Sequence, residues 1–315
     1  MDTRQPLDAR ASLLMLSLCL LWSLQQISLK AVAGQASPML MVGLRSAVAA
    51  LLLVGWMRLR GERVVLQRAH WGPGLVVGAL FALEYLLVAA ALQLTHASHV
   101  VVFLYTAPLF AALGLQWRLP SERLDALQWT GISVAFAGIA IAFLSRGPGA
   151  QALGGPVLLG DLLALLAGAS WGATTVTIRC TTLSTAPAAE TLLYQLLCAF
   201  ALLVPAAWLT GQSHFALNAH TLGHFAFQAV VVSFASFLVW FWLLRHYLAS
   251  RLGVFSFLTP VFGVLLGIWL LGEPLEASFL AGSALVLLGI FMVSAGGWLR
   301  PWWGRLRGRP HAVPR

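Results

Sequence analysis

The segment from Leu94 to Ala140, LTHASHVVVFLYTAPLFAALGLQWRLPSERLDALQWTGISVAFAGIA, returns in altered form as His246–Phe291, HYLASRLGVFSFLTPVFGVLLGIWLLGEPLEASFLAGSALVLLGIF. Ala97-Ser98 corresponds to Ala249-Ser250 and Pro108 to Pro260, at a shift of 152. After a one-residue gap Glu122, Gly131 and Gly138 correspond to Glu273, Gly282 and Gly289, at a shift of 151. Trp22 and Pro38 find Trp171 and Pro187 at a shift of 149. Almost half of the chain is a copy of the other half. Whatever unit the first copy builds, the second builds again.

Composition says what solvent that unit lives in. Of 315 residues 60% are hydrophobic and 9% charged, and the mean hydropathy is +0.86. Soluble domains carry roughly 25% charged residues. Too little is left to cover a water-facing surface, so lipid must surround most of it. Apolar runs near the length that crosses a bilayer core lie at 12–32, 38–57, 73–93, 99–118, 125–144, 157–178, 188–209, 225–244, 252–271 and 277–298. Lipid offers no partner to open backbone groups, and the alternating pattern of a barrel is absent. The expected fold is therefore an all-α membrane protein with ten transmembrane helices.

Basic residues then orient it. With alternate connections assigned to one side, that side collects 16 of the 19 basic residues; the other has Lys30 and Arg146, and Arg45 lies inside a helix. The positive-inside rule puts both termini in the cytoplasm, and an odd number of spans per copy makes the second copy an inverted repeat. The expected units are a five-helix repeat over 1–148, an inverted five-helix repeat over 149–298 and a basic cytoplasmic tail over 299–315, with the Gly/Pro-rich stretch 145–156 as the joint. Met1–Arg10 is too polar to begin a signal peptide and reads as a short cytoplasmic tail. Residues 211–224 are expected as the longest polar outer loop. The net charge of +9 follows this topology and forms no single face, so it does not point to nucleic acid.

Ionisable groups inside spans carry the functional information, because each costs about 2.5–3.5 kcal/mol at mid-helix. Glu84 stands near the centre of the third span beside Tyr85. It reads as a cavity carboxylate that meets an ammonium group or a proton; the alternative is a helix-knitting carboxylate, neutral or paired with arginine. Arg45 either holds a substrate carboxylate or pairs structurally with Glu84 or with carbonyl ends. Lys30 is expected to snorkel. Trp22, Gln26 and Lys30 are spaced i, i+4, i+8 and share a helix face, as do Trp171, Thr175 and Arg179 in the second copy. Two such faces read as the walls of one site, with helix packing as the alternative. Tyr105, Tyr194 with Gln195, and Ser236 with Trp240 add polar tips and rings, the composition of a small-molecule pocket. Pro108 and Pro260, at matching places inside spans, are expected to bend their helices where the halves rock. Gly131, Gly138, Gly282 and Gly289 should pack the last helix of each half tightly, and Gly263 with Gly267 should allow close packing.

Other patterns are set aside. GxSxG at Gly168–Gly172 is mid-helix, without the strand–turn–helix of a nucleophile elbow. His96 with His99 and His220 with His224 have ligand-like spacing but no carboxylate cluster in sequence, and are expected as loop histidines. Cys19, Cys180 and Cys198 form no framework. No cofactor or metal is expected.

Trp22…Lys30, Pro38…Leu44-Arg45, Ala97-Ser98…Pro108 and Glu122-Arg123-Leu124, with their second-half counterparts through Gly272-Glu273-Pro274-Leu275, cover nearly the whole chain. Together they resemble the drug/metabolite transporter superfamily in its ten-helix EamA-type form, and within it the sequence is similar to aromatic amino acid exporters of the bacterial inner membrane. The resemblance implies a central cavity lined by spans one to four and six to nine. The expected function is export of amino acids or related small metabolites by alternating access; a drug, sugar or nucleotide-derivative carrier is the alternative, ahead of an intramembrane enzyme or a purely structural protein. The expected partners are the small-molecule substrate and the lipid bilayer. Protons are a candidate second species, since Glu84 permits proton coupling without requiring it, and the chain is expected to be a monomer or a weak dimer.

Overall fold

The computed structural model describes residues 8–61, 66–119, 124–144, 154–247, 256, 258–274 and 276–306. Its elements are helices: α1 Ala9–Ala31, α2 Pro38–Leu59, α3 Trp71–Leu94, α4 Ala97–Leu104, α5 Ala107–Arg118, α6 Ala126–Leu144, α7 Gly154–Cys180, α8 Ala188–Leu209, α9 Ala219–Ala226, a π-helical stretch Phe227–Ser236, α10 Phe237–His246, α11 Leu258–Leu271 and α12 Ala277–Leu306. Short 3-10 turns precede α3 and α8. Among the described residues, seven helical stretches are long and apolar enough to cross a membrane, Ala97–Arg118 and Ala219–Trp240 each made of more than one element, and three shorter apolar helices, Ala126–Ala142, Leu258–Leu271 and Ala277–Val293, lie in the other expected segments. The chain is a multi-pass helical membrane protein.

Helix ends follow local chemistry. Asp8 caps α1 by accepting from the Ala11 amide at 2.7 Å, and Asn218 caps α9 by accepting from Thr221 at 2.9 Å. Ser37 caps α2, whose first residue is Pro38. The stretch 211–224 is not loop throughout, because α9 already begins at Ala219.

The fourth span is two helices. In one continuous helix Pro108 would lose a backbone bond and press its ring on the Leu104 carbonyl. The helix instead breaks at Tyr105-Thr106, which puts Pro108 in the first turn of α5, where no N–H is needed. The Thr106 hydroxyl donates to the Phe103 carbonyl at 2.6 Å, satisfying a group the break exposes. Pro260 likewise stands in the first turn of α11; most of the chain just before it, 248–255 and 257, lies outside the described residues, as does Glu122.

α6 and α12 form one seam through the four predicted glycines. A Cβ on Gly138 would meet the Gly282 carbonyl at 2.6 Å, and one on Gly282 would meet the Gly138 carbonyl at 2.6 Å; Gly131 and Gly289 face each other in the same way. α3 packs on α7 and α8, α2 on α8, α1 on α11, and α4 on α7 and α11. Gly263 gives α11 its close approach to Val101 of α4, where an added Cβ would stand 2.8 Å away.

Two ends of the bundle are distinguishable. The arginine-poor end gathers the turns after α1, α3, α8 and α11: Ala36 bridges Phe215, and the Ala216 amide donates to Gln35 at 2.8 Å. At the arginine-rich end the Tyr247 hydroxyl donates to Asp8 at 2.9 Å, and Glu190 pairs with His70 at 3.0 Å while accepting from the Gln67 amide at 2.9 Å.

Candidate substrate site

At mid-depth, four elements place polar side chains against one another. Gln25 on α1 donates to the Tyr85 hydroxyl on α3 at 2.9 Å. Gln228, on the π-helical stretch, donates to the Gln25 carbonyl at 2.8 Å, and its own side-chain oxygen accepts from Arg45 on α2. The Arg45 guanidinium sits 4.8 Å from the Tyr85 ring centroid, a cation–π contact. Gln228 therefore reaches two helices from a stretch with π geometry, a form of helix that recurs at functional sites.

Arg45 is 2% and Glu84 5% exposed. Arg45 attracts the Glu84 carboxylate electrostatically, but no ion pair or hydrogen bond to Glu84 is formed among the described residues. The Arg45 Nε is buried without a partner. Of the structural partners expected for Arg45, neither Glu84 nor a carbonyl end is bonded to it among the described residues; it meets Gln228 and the Tyr85 ring instead. A dehydrated guanidinium with an unpartnered Nε, next to a buried carboxyl that it does not bind, is a costly arrangement that a ligand carboxylate would relieve.

The other predicted residues fall into separate groups. The Trp22 indole donates to Ser236 at 3.1 Å and meets Trp240 edge-on at 5.7 Å, so these three come together where α1 meets the π-helical stretch and α10. Gln26, one turn further along α1, is buried with its side-chain oxygen unpartnered. Tyr105 and Trp171 meet edge-on at 5.3 Å. Trp171, Thr175 and Pro108 line a cavity of about 320 Å³ with Leu115, Gln128 and Val293, on the side of α7 that faces α5, α6 and α12. Thr175 donates back to the Trp171 carbonyl of its own helix at 3.3 Å. The Trp22 and Trp171 faces consequently have different neighbours. Tyr194 covers Gly74 near the start of α3, about 16 Å along that helix from Tyr85, and its neighbour Gln195 is half-buried.

Several polar residues differ from expectation. His99 is not in a loop: it is the third residue of α4, 2% exposed, and paired with Asp161. His220 and His224 belong to α9, and the His224 ring nitrogen lies 2.8 Å from the Ser28 hydroxyl. Lys30 does not extend along the bilayer edge; its ammonium donates to the Leu92 and Thr95 carbonyls at the end of α3. Gln25, Gln228 and Asp161 carry interactions that sequence reasoning did not single out, although Gln228 and Asp161 are each a lone polar residue in an apolar run.

A multi-pass helical bundle of two similar halves, with ionisable side chains buried at mid-depth, is the form of a membrane carrier. The chain belongs to the EamA-like transporter family, whose profile matches residues 9–144 and again 158–295. It is 27% identical over 288 residues to the uncharacterized transporter YvbV of Bacillus subtilis (strain 168), covering 90% of this chain and 92% of that one. It is 23% identical over 286 residues to YoaV of the same organism, at 88% and 94% coverage. The uncharacterized inner membrane transporter YedA of Escherichia coli (strain K12) is 25% identical over 269 residues, covering 84% of each chain. A solved crystal structure shares the fold with a TM-score of 0.64 at 21% identity, over 90% of this chain and 97% of its own.

Proposed function

We propose that this transporter exports amino acids, aromatic or neutral, and related small metabolites across the inner membrane by alternating access. Arg45 receives the cargo carboxylate and Glu84 its ammonium group. The observation that carries this assignment is a buried arginine, its Nε unpartnered, beside a buried carboxyl on the neighbouring helix with which it forms no bond. A zwitterion supplies both missing partners at once. A purely anionic or cationic cargo would leave one charge stranded. The rings of Tyr85, Tyr105, Trp22 and Trp171, on the elements around it, suit an apolar or aromatic side chain.

The path from the two ends uses the remaining predicted residues: Gln26 on α1 toward the arginine-poor end, and Ser236, Trp240, Thr175, Tyr194 and Gln195 toward the arginine-rich end. Pro108 and Pro260 mark the points about which the half-spans pivot. The positive-inside rule places the arginine-rich end and both termini in the cytoplasm. Outward transport follows the resemblance to aromatic amino acid exporters.

The test is uptake of a labelled amino-acid panel into proteoliposomes, with and without a pH gradient, for wild type and Glu84→Gln. Saturable flux of neutral or aromatic amino acids, weakened at least tenfold in apparent affinity by Glu84→Gln, is expected. Absence of flux across the panel would overturn the assignment and direct the search to drugs or sugar derivatives.

A further inference from the structure

His220 and His224 have metal-ligand spacing, and the structure puts a helix beneath them. They are the second and sixth residues of α9, so they stand one turn apart on a single face. Their ring centroids are 4.7 Å apart and the ring planes are inclined at 61°. Two imidazoles that ligate one ion at about 2.0–2.1 Å keep their centroids roughly 4.5–5.2 Å apart, for bond angles of about 90–110°. The two rings already stand at a chelating separation.

The surroundings hold the pair in place and leave it open to water. Asn218 caps α9 and donates from its side-chain amide to the Gln35 side-chain oxygen at 3.1 Å. The same oxygen accepts from the buried Thr221 hydroxyl at 3.0 Å, so the first turn of α9 is fixed to the turn after α1. The Ser28 hydroxyl of α1 lies 2.8 Å from Nδ1 of His224. With Nδ1 engaged, Nε2 is the nitrogen left for an ion, and partners of this kind orient most metal-ligating histidines. His220 is exposed and His224 half-buried. Gly223, between them in sequence, has nothing within 4 Å of an added Cβ, which leaves room beside the rings for water.

Ligand chemistry selects the ion. Imidazole nitrogens suit Zn2+, Cu2+ and Ni2+, whereas Mg2+ and Ca2+ need several oxygen ligands. Among the described residues no third histidine, cysteine or carboxylate joins the pair, so water must complete the coordination. The spacing is that of helices that hold zinc between two histidines, but Thr221 stands where a metalloprotease has its catalytic glutamate. An ion here is held, and is not used for hydrolysis.

We propose that His220 and His224 form a binding site for a divalent transition-metal ion at the arginine-poor end, with Ser28 orienting the His224 ring. The ion fastens the start of α9. Four residues beyond His224 stands Gln228, which holds Arg45 and the Gln25 carbonyl, so the fastened segment is the one that reaches the mid-depth polar residues. Cargo identity does not enter, and the metal site and the amino-acid assignment stand or fall separately.

Calorimetric titration of Zn2+ into the full chain in detergent, purified without a polyhistidine tag, decides it. Wild type is expected to bind Zn2+ saturably and to give no heat with Mg2+ at the same concentrations. His220→Ala and His224→Ala are each expected to weaken Zn2+ binding at least tenfold. Ser28→Ala is expected to weaken it about tenfold, the usual effect of losing such a partner; unchanged affinity overturns the role given to Ser28. His220 is exposed, so His220→Ala should keep the metal-free unfolding midpoint of wild type. Saturating Zn2+ should raise that midpoint in wild type and leave it unchanged in His220→Ala. A wild type that binds no Zn2+, or a His220→Ala protein that binds it as tightly as wild type, overturns the site.

Discussion

Gly289→Ala puts the α6–α12 seam to a quantitative test. A Cβ at position 289 would stand 2.3 Å from the Gly131 carbonyl oxygen and 2.6 Å from both the Cβ and the amide nitrogen of Ala135. Unstrained heavy-atom contacts to carbon lie near 3.5–4.0 Å, so the two helices must part by about 1 Å. None of the three obstructing atoms can rotate away, because two are backbone and the third is the first atom of an alanine side chain. Alanine in a helix interior gains about 1 kcal/mol over glycine. Overpacking costs about 1–3 kcal/mol, and a rigid backbone obstacle puts this site at the upper end. Parting the seam also forfeits dispersion along its length, which is the main force between helices in lipid. The expected net loss is therefore about 1–2 kcal/mol or more. Thermal unfolding in detergent, followed by tryptophan fluorescence, should show a lower midpoint for Gly289→Ala. Gly223→Ala on α9, where nothing lies within 4 Å of an added Cβ, should unfold at or above the wild-type temperature. If Gly289→Ala proves as stable as Gly223→Ala, the reasoning about the seam is wrong.

Glu273→Ala should destabilise the protein by about 2–4 kcal/mol in the same assay, because two buried amides at the start of α4 lose a charged acceptor and a favourable dipole. Gly272→Ala should cost about 1 kcal/mol, since Gly272 adopts φ of +64° to end α11 and turn Glu273 back toward α4. Arg45→Lys should lower apparent affinity for amino acids at least tenfold with little loss of stability: an ammonium can still reach Gln228 but lacks the planar second donor pair for a carboxylate. Asp8 has its carboxyl held below the ordinary 3.8, first by the Ala11 amide and then by the Tyr247 hydroxyl. A depressed carboxylate stabilises the fold above its unfolded value and loses that effect as pH falls, so the melting-temperature gap between wild type and Asp8→Asn should be present at pH 6 and should narrow below about pH 4.

Backbone requirements were legible in the sequence and side-chain partners were not. Gly131, Gly138, Gly282 and Gly289 could be read because a helix seam that tight admits no other residue, and the repeat states the demand twice. Pro108 and Pro260 were legible for the same reason. Partners depend instead on how each helix is rotated, and in a chain that is apolar toward both lipid and core the hydrophobic pattern does not mark which face turns inward. Gln26 was the residue in phase with Trp22, yet adjacent Gln25, about 100° further round the helix, is the one that meets Tyr85. His99 was misread because HASH resembles a polar connection. The residue that makes it a helix start, Glu273, is 174 positions from it in sequence. Gln228 depends on a π-helical stretch that no periodic pattern announces.

α3 gives the mid-depth polar residues and the His99–Asp161 pair a physical connection. It carries Glu84 and Tyr85 at mid-depth, and about 16 Å further along its axis it ends at Thr95. There the Thr95 carbonyl holds Lys30 and its hydroxyl holds Asp161. α1 runs beside it with Gln25 at one group and Lys30 at the other. A cargo that draws Arg45 and Glu84 together must rotate or shift α3, and the displaced Thr95 changes how well the Asp161 carboxylate is held. Packed helices transmit such a shift because their interiors do not compress.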